Sequence, residues 1–374
     1  MQCLLVGCAA VSVCGSNAAC YKKIKGWLIM IEKILPGIFR IELPLPDLSL
    51  QAVNTYLLKG KKRSLLIDSG MNRRECQEAL GAALRELDVS LKDVDFFITH
   101  LHEDHFGLAP VLAAATSKIY INAPEAAFWG VPGRWKEGFT HGKRNGFPAA
   151  EVDKFIRETP EFLKDLPLEE MKDAVRAFIQ QQEPRGRIQI CGEGETFNIG
   201  AYALQSIMTP GHSSGHLCLY EPQRKLLFAG DHILETITPA IFLWPGEDRN
   251  PLREYLASLD KVAGLDVDLV LPGHRRTFKD HPGRILELKK HHLQREQEIA
   301  TVLGADGRSG KNALEIASQV SWNIPQPWGQ FTTELKWMAL AETLAHLKYM
   351  EYQKKVISKL LEDGIEYYYG VPVE

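Results

Sequence analysis

The chain has 374 residues, 45% hydrophobic and 24% charged, ordinary values that exclude a disordered chain, a collagen or a small disulfide scaffold. Lys and Arg number 44 against 47 Asp and Glu, a formal charge of −3, which argues against a polybasic nucleic-acid or membrane binder. No apolar run has the length of a membrane-spanning helix, and the length suits two domains or one large domain with insertions.

The opening stretch carries Cys3, Cys8, Cys14 and Cys20 and is apolar and rich in small residues. It has the make-up of a short secretory h-region, with Leu5-Val6-Gly7-Cys8 resembling a lipoprotein cleavage box, but no Lys or Arg precedes it, which favours a non-secretory reading. Residues 1–29 are expected to stand outside the core, as a leader or an over-extended start. The remaining cysteines, Cys76, Cys191 and Cys218, are scattered without a CxxC pair, which fits a reducing, cytoplasmic setting.

From Met30 onward the apolar runs 38–43, 52–58 and 63–68 predict three strands, the last closed by the turn Asp68-Ser69-Gly70. Cys76, Leu80, Ala83 and Leu87 share one side of a predicted helix over 73–87. A strand at 94–99, a helix at 106–115 and a strand at 118–122 follow, an alternation that predicts a layered α/β core. Residues 123–183 change character and read as a helical insertion, with Phe128, Trp129, Trp135, Phe139 and Phe147. These aromatics either wall a substrate pocket, with Trp135, Phe139 and His141 as contacts, or form a private core or dimer interface. Strands resume at 187–191, 203–209, 215–220, 225–229 and 268–271, and Pro251 opens a helix over 251–262. Helices over 284–303, 311–320 and 332–361, the last breaking near Val356, precede a terminal strand after Gly364. Residues 284–374 therefore read as a mainly helical, winged-helix-like unit beside a main domain over 30–283. The stretch 304–312 is no phosphate loop, because its glycine spacing is one residue too long and Asn312 stands where Ser or Thr is needed.

The strand at 94–99 runs into His100-Leu-His102-Glu-Asp104-His105-Phe-Gly107. Residues two apart at a strand end point the same way, which aims His100 and His102 at one point. The turn that follows lets Asp104 and His105 serve a second. Three later strands end likewise: at His212 with His216 beyond it, at Asp231, and at His274. Imidazole and carboxylate are the donors of catalytic metal sites, and five His with two Asp suffice for two ions sharing a carboxylate.

These residues resemble the metallo-β-lactamase-fold hydrolase superfamily over roughly residues 31–280: the HxHxDHxG signature is complete, and His212, Asp231 and His274 follow in the family's order. The resemblance implies a four-layered αβ/βα sandwich with the site at its open edge. It implies that His100, His102 and His212 hold one divalent ion and that Asp104, His105 and His274 hold a second, with Asp231 bridging. Zinc is the first expectation, with iron or manganese compatible. A hydroxide between the ions, its pKa lowered to ~7, would attack the substrate while Asp104 orients or shuttles the proton. Asp68 and His216 are expected to support the ligands, and His232 to point away from them.

Among the superfamily's members the chain shares its ligands with the glyoxalase II-like thioesterases. The run from Leu271 through the basic helix resembles the β-lactamase-like-2 group, which includes animal endoribonucleases and fungal polyketide-releasing thioesterases. The resemblance therefore implies a hydrolase for a small acyl thioester, ester or lactone. The alternative is a metal-dependent endoribonuclease, favoured by seven Lys or Arg against three acids from Arg275 to Glu296.

Overall fold

The computed structural model describes residues 13–14, 19–24, 27–45, 50–125, 140–151, 188–244, 247–304 and 309–371. Nine strands form the first sheet in chain order: β1 (Val13–Cys14), β2 (Ala19–Ile24), β3 (Trp27–Leu35), β4 (Ile38–Leu45), β5 (Gln51–Leu58), β6 (Ser64–Ile67), β7 (Val94–Phe97), β8 (Ile119–Asn122) and β9 (Ile188–Cys191). Pairing is antiparallel as far as β6 and parallel from β6 to β9. The second sheet holds β10 (Thr196–Ile199), β11 (Tyr202–Met208), β12 (Leu217–Glu221), β13 (Leu226–Gly230) and β14 (Leu269–Pro272). Its one parallel pair, β13 with β14, is joined through helix α4 (Pro251–Ala263), as a parallel crossover requires.

Side-chain alternation builds the layers. Leu65 and Ile67 of β6 point between the sheets, where they meet Phe97, Leu219, Phe228 and Leu271. Leu66, one residue off, points the other way onto helix α1 (Arg74–Glu86) and its buried Cys76, Leu80 and Ala83. In β13, Leu226 and Phe228 face the first sheet while Leu227 and Ala229 face α4 and helix α5 (His281–Leu303). Every residue of β6, β7, β12 and β13 is buried, because both faces of these strands are covered. The result is the expected four-layered αβ/βα sandwich.

Helix α6 (Ala313–Ala317) and helix α7 (Thr333–Tyr352) pack with α5 on a three-stranded sheet of β15 (Lys311–Asn312), β16 (Val356–Leu360) and β17 (Glu366–Gly370). The helix expected over 332–361 stops at Tyr352. Lys354 adopts φ 60° and turns the chain into β16, so the β-hairpin begins where only a helix break was expected. The helix expected over 311–320 is shorter, because Lys311 and Asn312 pair with β17 and Asn312 then caps α6 in a reciprocal capping box with Glu315. The helix expected over 106–115 is instead two turns, α2 (Glu103–Phe106) and α3 (Ala109–Leu112). Pro110 has no N–H to donate to Phe106, and Leu108 gives its own to Gly70. Strand β10, Thr-Phe-Asn-Ile just before the turn at Gly200, was not expected from the sequence. At the other end, β2 pairs with β3 across residues 19–32, so backbone pairing continues beyond the expected start at Met30.

Candidate metal centre

All seven predicted ligands stand just beyond strands β7, β11, β13 and β14, at one edge of the sandwich. His102 is the N-cap of α2, with extended backbone, so the chain reverses there. That reversal separates His100 and His102 from Asp104 and His105. Donor atoms of His100, His102 and His212 lie within 4.8 Å of one another, as do those of Asp104, His105 and His274, and those of His100, His105 and Asp231. Asp231 stands between the groups: Oδ1 is 3.5 Å from His105 Nε2, and Oδ2 is 3.4 Å from His274 Nε2 and 3.8 Å from His212 Nε2. Asp104 Oδ2 lies 3.3 Å from His274 Nε2.

Proton accounting shows that these atoms suit a cation. His105 Nδ1 donates to Asp68 Oδ2 at 2.7 Å, His212 Nδ1 to the Ala240 carbonyl at 2.7 Å, and His274 Nδ1 to the Ala52 carbonyl at 2.7 Å. The Thr99 hydroxyl must donate to the Asp68 carboxylate, at 2.9 Å, so His100 Nδ1 donates to Thr99 Oγ1 at 3.0 Å. In the neutral tautomers so fixed, four Nε2 lone pairs face inward. His102 Nδ1 sits 2.9 Å from His100 Nε2 and 3.0 Å from His212 Nε2. A proton on it would satisfy only one of the two. A cation satisfies all three, and the spacing is near the edge, about 3.4 Å, of a tetrahedron with Zn–N of about 2.0–2.1 Å. His105 Nε2, His274 Nε2 and Asp231 Oδ1 are buried without a hydrogen-bond partner, as open ligand positions would be.

The charges divide the site. Burial, then the crowding of His105, His102 and His212, holds His100 well below the ordinary imidazole value. Burial and His212 take His102 down to about 3, and burial lowers His212. This group is neutral and ready to ligate. Burial also opposes charge on His105, but Asp231, Asp104 and Asp68 outweigh it and raise its pKa well above the usual value. His274, likewise opposed by burial, is pushed up to about 10 by Asp231 and Asp104. Burial resists ionisation of Asp104, yet His105 and His274 bring it to about 2; Asp231 is held well below the carboxylate range by His274 and His105.

Asp68 is buried and holds φ 58° in the turn after β6. It accepts from the Thr99 amide, the Thr99 hydroxyl and His105. His216 accepts from the Asp231 amide through Nε2 at 3.1 Å and donates from Nδ1 to Thr209 Oγ1 at 2.8 Å. His232 turns away, its ring 5.4 Å from that of Tyr255. Gly273 gives the ligands room: a Cβ there would lie 2.5 Å from Asp231 Oδ1.

The predicted pocket residues divide differently. Trp135 and Phe139 lie outside the described residues. His141 lines a small cleft with Leu243, Trp244, Trp337 and Leu340, against α7, and its charged neighbours are Glu366 and Arg144. Phe147 joins the core of the C-terminal helices, edge-on to Trp337 at 5.2 Å. Of the described residues named for the insertion, Phe147 is thus core and His141 lines a cleft. Sequence reasoning missed Thr99, Asn54 and Glu125. Asn54 was visible as an amide inside the apolar strand 52–58; it donates to the carbonyls of Pro272 and Arg275, on either side of His274.

The profile of the metallo-beta-lactamase superfamily matches residues 48–274, and the chain belongs to that superfamily and is a hydrolase of it. It is 26% identical to a Beta-lactamase-like protein 2 homolog of Caenorhabditis elegans, over 90% of this chain and 88% of that protein. It is 23% identical to an atrochrysone carboxyl ACP thioesterase of Claviceps purpurea, over 89% of this chain and 83% of that protein. Among solved structures it resembles a metallo-beta-lactamase family protein of Thermus thermophilus, at 26% identity and a TM-score of 0.70, over 90% of this chain and 100% of that one.

Proposed function

We propose that the protein is a binuclear metal-dependent hydrolase of acyl thioesters, with activated esters and lactones as the neighbouring substrate class. The observation that carries the metal reading is the convergence of imidazole lone pairs on two points beside one shared carboxylate. His100, His102 and His212 would hold one divalent ion, Asp104, His105 and His274 the other, with Asp231 between them. Zinc suits this nitrogen and oxygen set, as do iron and manganese. Bound there, such ions polarise an acyl carbonyl and bring the pKa of a coordinated water to about 7.

The chain's own residues set the geometry and the proton path. Asp68, Ala240, Ala52 and Thr99 lock the imidazoles in the ligating tautomer. Asp104 is ionised at neutral pH and keeps 14% of its side-chain surface open, against 10% for Asp231. We assign to it the role of orienting the water or taking its proton and passing it on. The water oxygen bonds to the acyl carbon, the C–S bond breaks, and the thiolate leaves with a proton.

The fungal relative named as a thioesterase supports the acyl reading. The basic stretch after His274 is less open to RNA than its sequence suggests, because four of its seven cations are engaged within the chain. Arg276 pairs with Glu235, Lys289 with Asp260, and Arg284 with Glu287 and the carbonyls of Leu234 and Ile237; Arg295 is buried over the Trp322 ring. No described helix is long and apolar enough to cross a membrane. The test is a hydrolysis screen of the zinc-loaded chain against acyl-thioesters on coenzyme A and on carrier protein, lactones, a phosphodiester and single-stranded RNA. Thioester turnover lost on chelation is expected; RNA cleavage without thioester turnover would overturn the substrate assignment.

A further inference from the structure

Glu125 belongs to no ligand group, yet it touches both loops that supply the first. It is 2% exposed. Its Oε2 accepts from the Leu101 amide at 3.0 Å, and Leu101 lies between His100 and His102. Its Oε1 accepts from the Gly215 amide at 2.6 Å, three residues beyond His212. The contact is close: a Cβ on Gly215 would lie 2.9 Å from the Glu125 nitrogen and 3.1 Å from its Cγ. Asn122 and Ser214 fasten the same junction, Asn122 donating to the Gly215 carbonyl and Ser214 to the Pro124 carbonyl. One carboxylate thus ties together two loops, 24 residues before it and 90 residues after it in the chain.

The charge needs an explanation as much as the geometry. A buried carboxylate without a cation costs several kcal/mol. Backbone amides offset part of this. Among the described residues no Lys or Arg pairs with Glu125. The group it braces consists of three histidines with no carboxylate among them; the shared Asp231 lies 3.8 Å from His212 Nε2.

We infer that Glu125 is a positioning residue for the first ion: it fixes the spacing of His100, His102 and His212 and supplies a negative charge that an ion there would balance. This rests on the metal reading above, and the test separates the two. Glu125→Gln keeps the shape, removes the charge and sets an amide NH2 against one of the two N–H donors. Co(II) is titrated into the metal-free full chain against a chromophoric competitor, and its visible absorption is recorded. The measurement is repeated in His274→Ala, which isolates the first group, and in His212→Ala, which isolates the second. Co(II) affinity at the first group is expected to fall by about 10–100-fold, with an altered absorption band, the size of effect seen when an outer partner of a metal ligand is lost. The second group should change by less than about threefold. Equal losses at both groups, with a lowered melting temperature of the metal-free chain, would reduce Glu125 to a structural residue and overturn the inference. So would unchanged binding at both. Failure of the unmutated chain to take up Co(II) would remove the metal reading itself. Should the amide variant not fold, Glu125→Asp carries the same comparison, with a smaller loss expected and again confined to the first group.

Discussion

Asp68→Asn is the most discriminating perturbation of the site. The carboxylate accepts three hydrogen bonds: Oδ1 from the Thr99 amide at 2.9 Å, and Oδ2 from the Thr99 hydroxyl at 2.9 Å and His105 Nδ1 at 2.7 Å. Asparagine tolerates the backbone φ of 58°, so the change is confined to the side chain. The amide has two orientations. With its oxygen toward the Thr99 amide, its NH2 faces Thr99 Oγ1, whose hydroxyl proton must turn to another acceptor, and His105 Nδ1, which must itself become an acceptor. The proton then moves to Nε2 and points into the second ligand group. With the amide reversed, NH2 meets the Thr99 N–H, and a buried donor is left unsatisfied. Either outcome costs about 1–3 kcal/mol. Where the cost opposes ligation, as in the first orientation, 1.4 kcal/mol per decade makes it about 5- to 140-fold in metal affinity, a range that includes the roughly 10–100-fold typical of outer partners of metal ligands; in the second orientation it lowers the melting temperature instead. Competitive metal titration reads the loss, and nitrogen-15 shifts of His105 read the tautomer. An Asp68→Asn chain that binds both ions within about threefold of the unmutated chain would refute the proton accounting.

Asp231→Asn removes a carboxylate that lies within 3.8 Å of imidazole nitrogens of both ligand groups; turnover should fall by about 100-fold while circular dichroism shows a retained fold, and near-normal activity would rule Asp231 out as the bridge. Gly273→Ala puts a methyl 2.5 Å from Asp231 Oδ1 and 2.7 Å from His105 Cε1; overpacking of about 1–3 kcal/mol should appear as a lower melting temperature and weaker metal uptake, and a neutral result would show that the ligands can yield. In the metal-free chain His105 is protonated well above the usual value and His274 up to about 10, so ligation at the second group must expel both protons. Affinity there should rise with pH across the neutral range, by up to about tenfold per unit for each proton, and calorimetry in buffers of different ionisation enthalpy should detect the release. The linkage to stability runs the other way: the raised His274 pKa stabilises the metal-free fold below about pH 6.5, and that contribution fades as pH rises toward about 10.

The ligand set was legible in the sequence because each donor follows an apolar strand at a turn, and strand ends of a layered α/β fold collect at one edge. The period of two that aims His100 and His102 together is a local property of the chain, and so is the cap that turns Asp104 and His105 aside. What braces the ligands was not legible. Glu125 acts on Gly215 and Asn54 on Arg275, across ninety and more than two hundred residues, and each is one unremarked residue in its own segment. The stretch 332–361 was half legible for a related reason: a helix with a break near Val356 was expected, but not that Lys354 takes a left-handed turn so that β16 can pair with β17. Local pattern therefore decided which atoms could bind a metal. Tertiary structure decided their tautomers and charges, because buried hydrogen bonds and neighbouring ions fix a proton's place and only the folded chain brings those partners together.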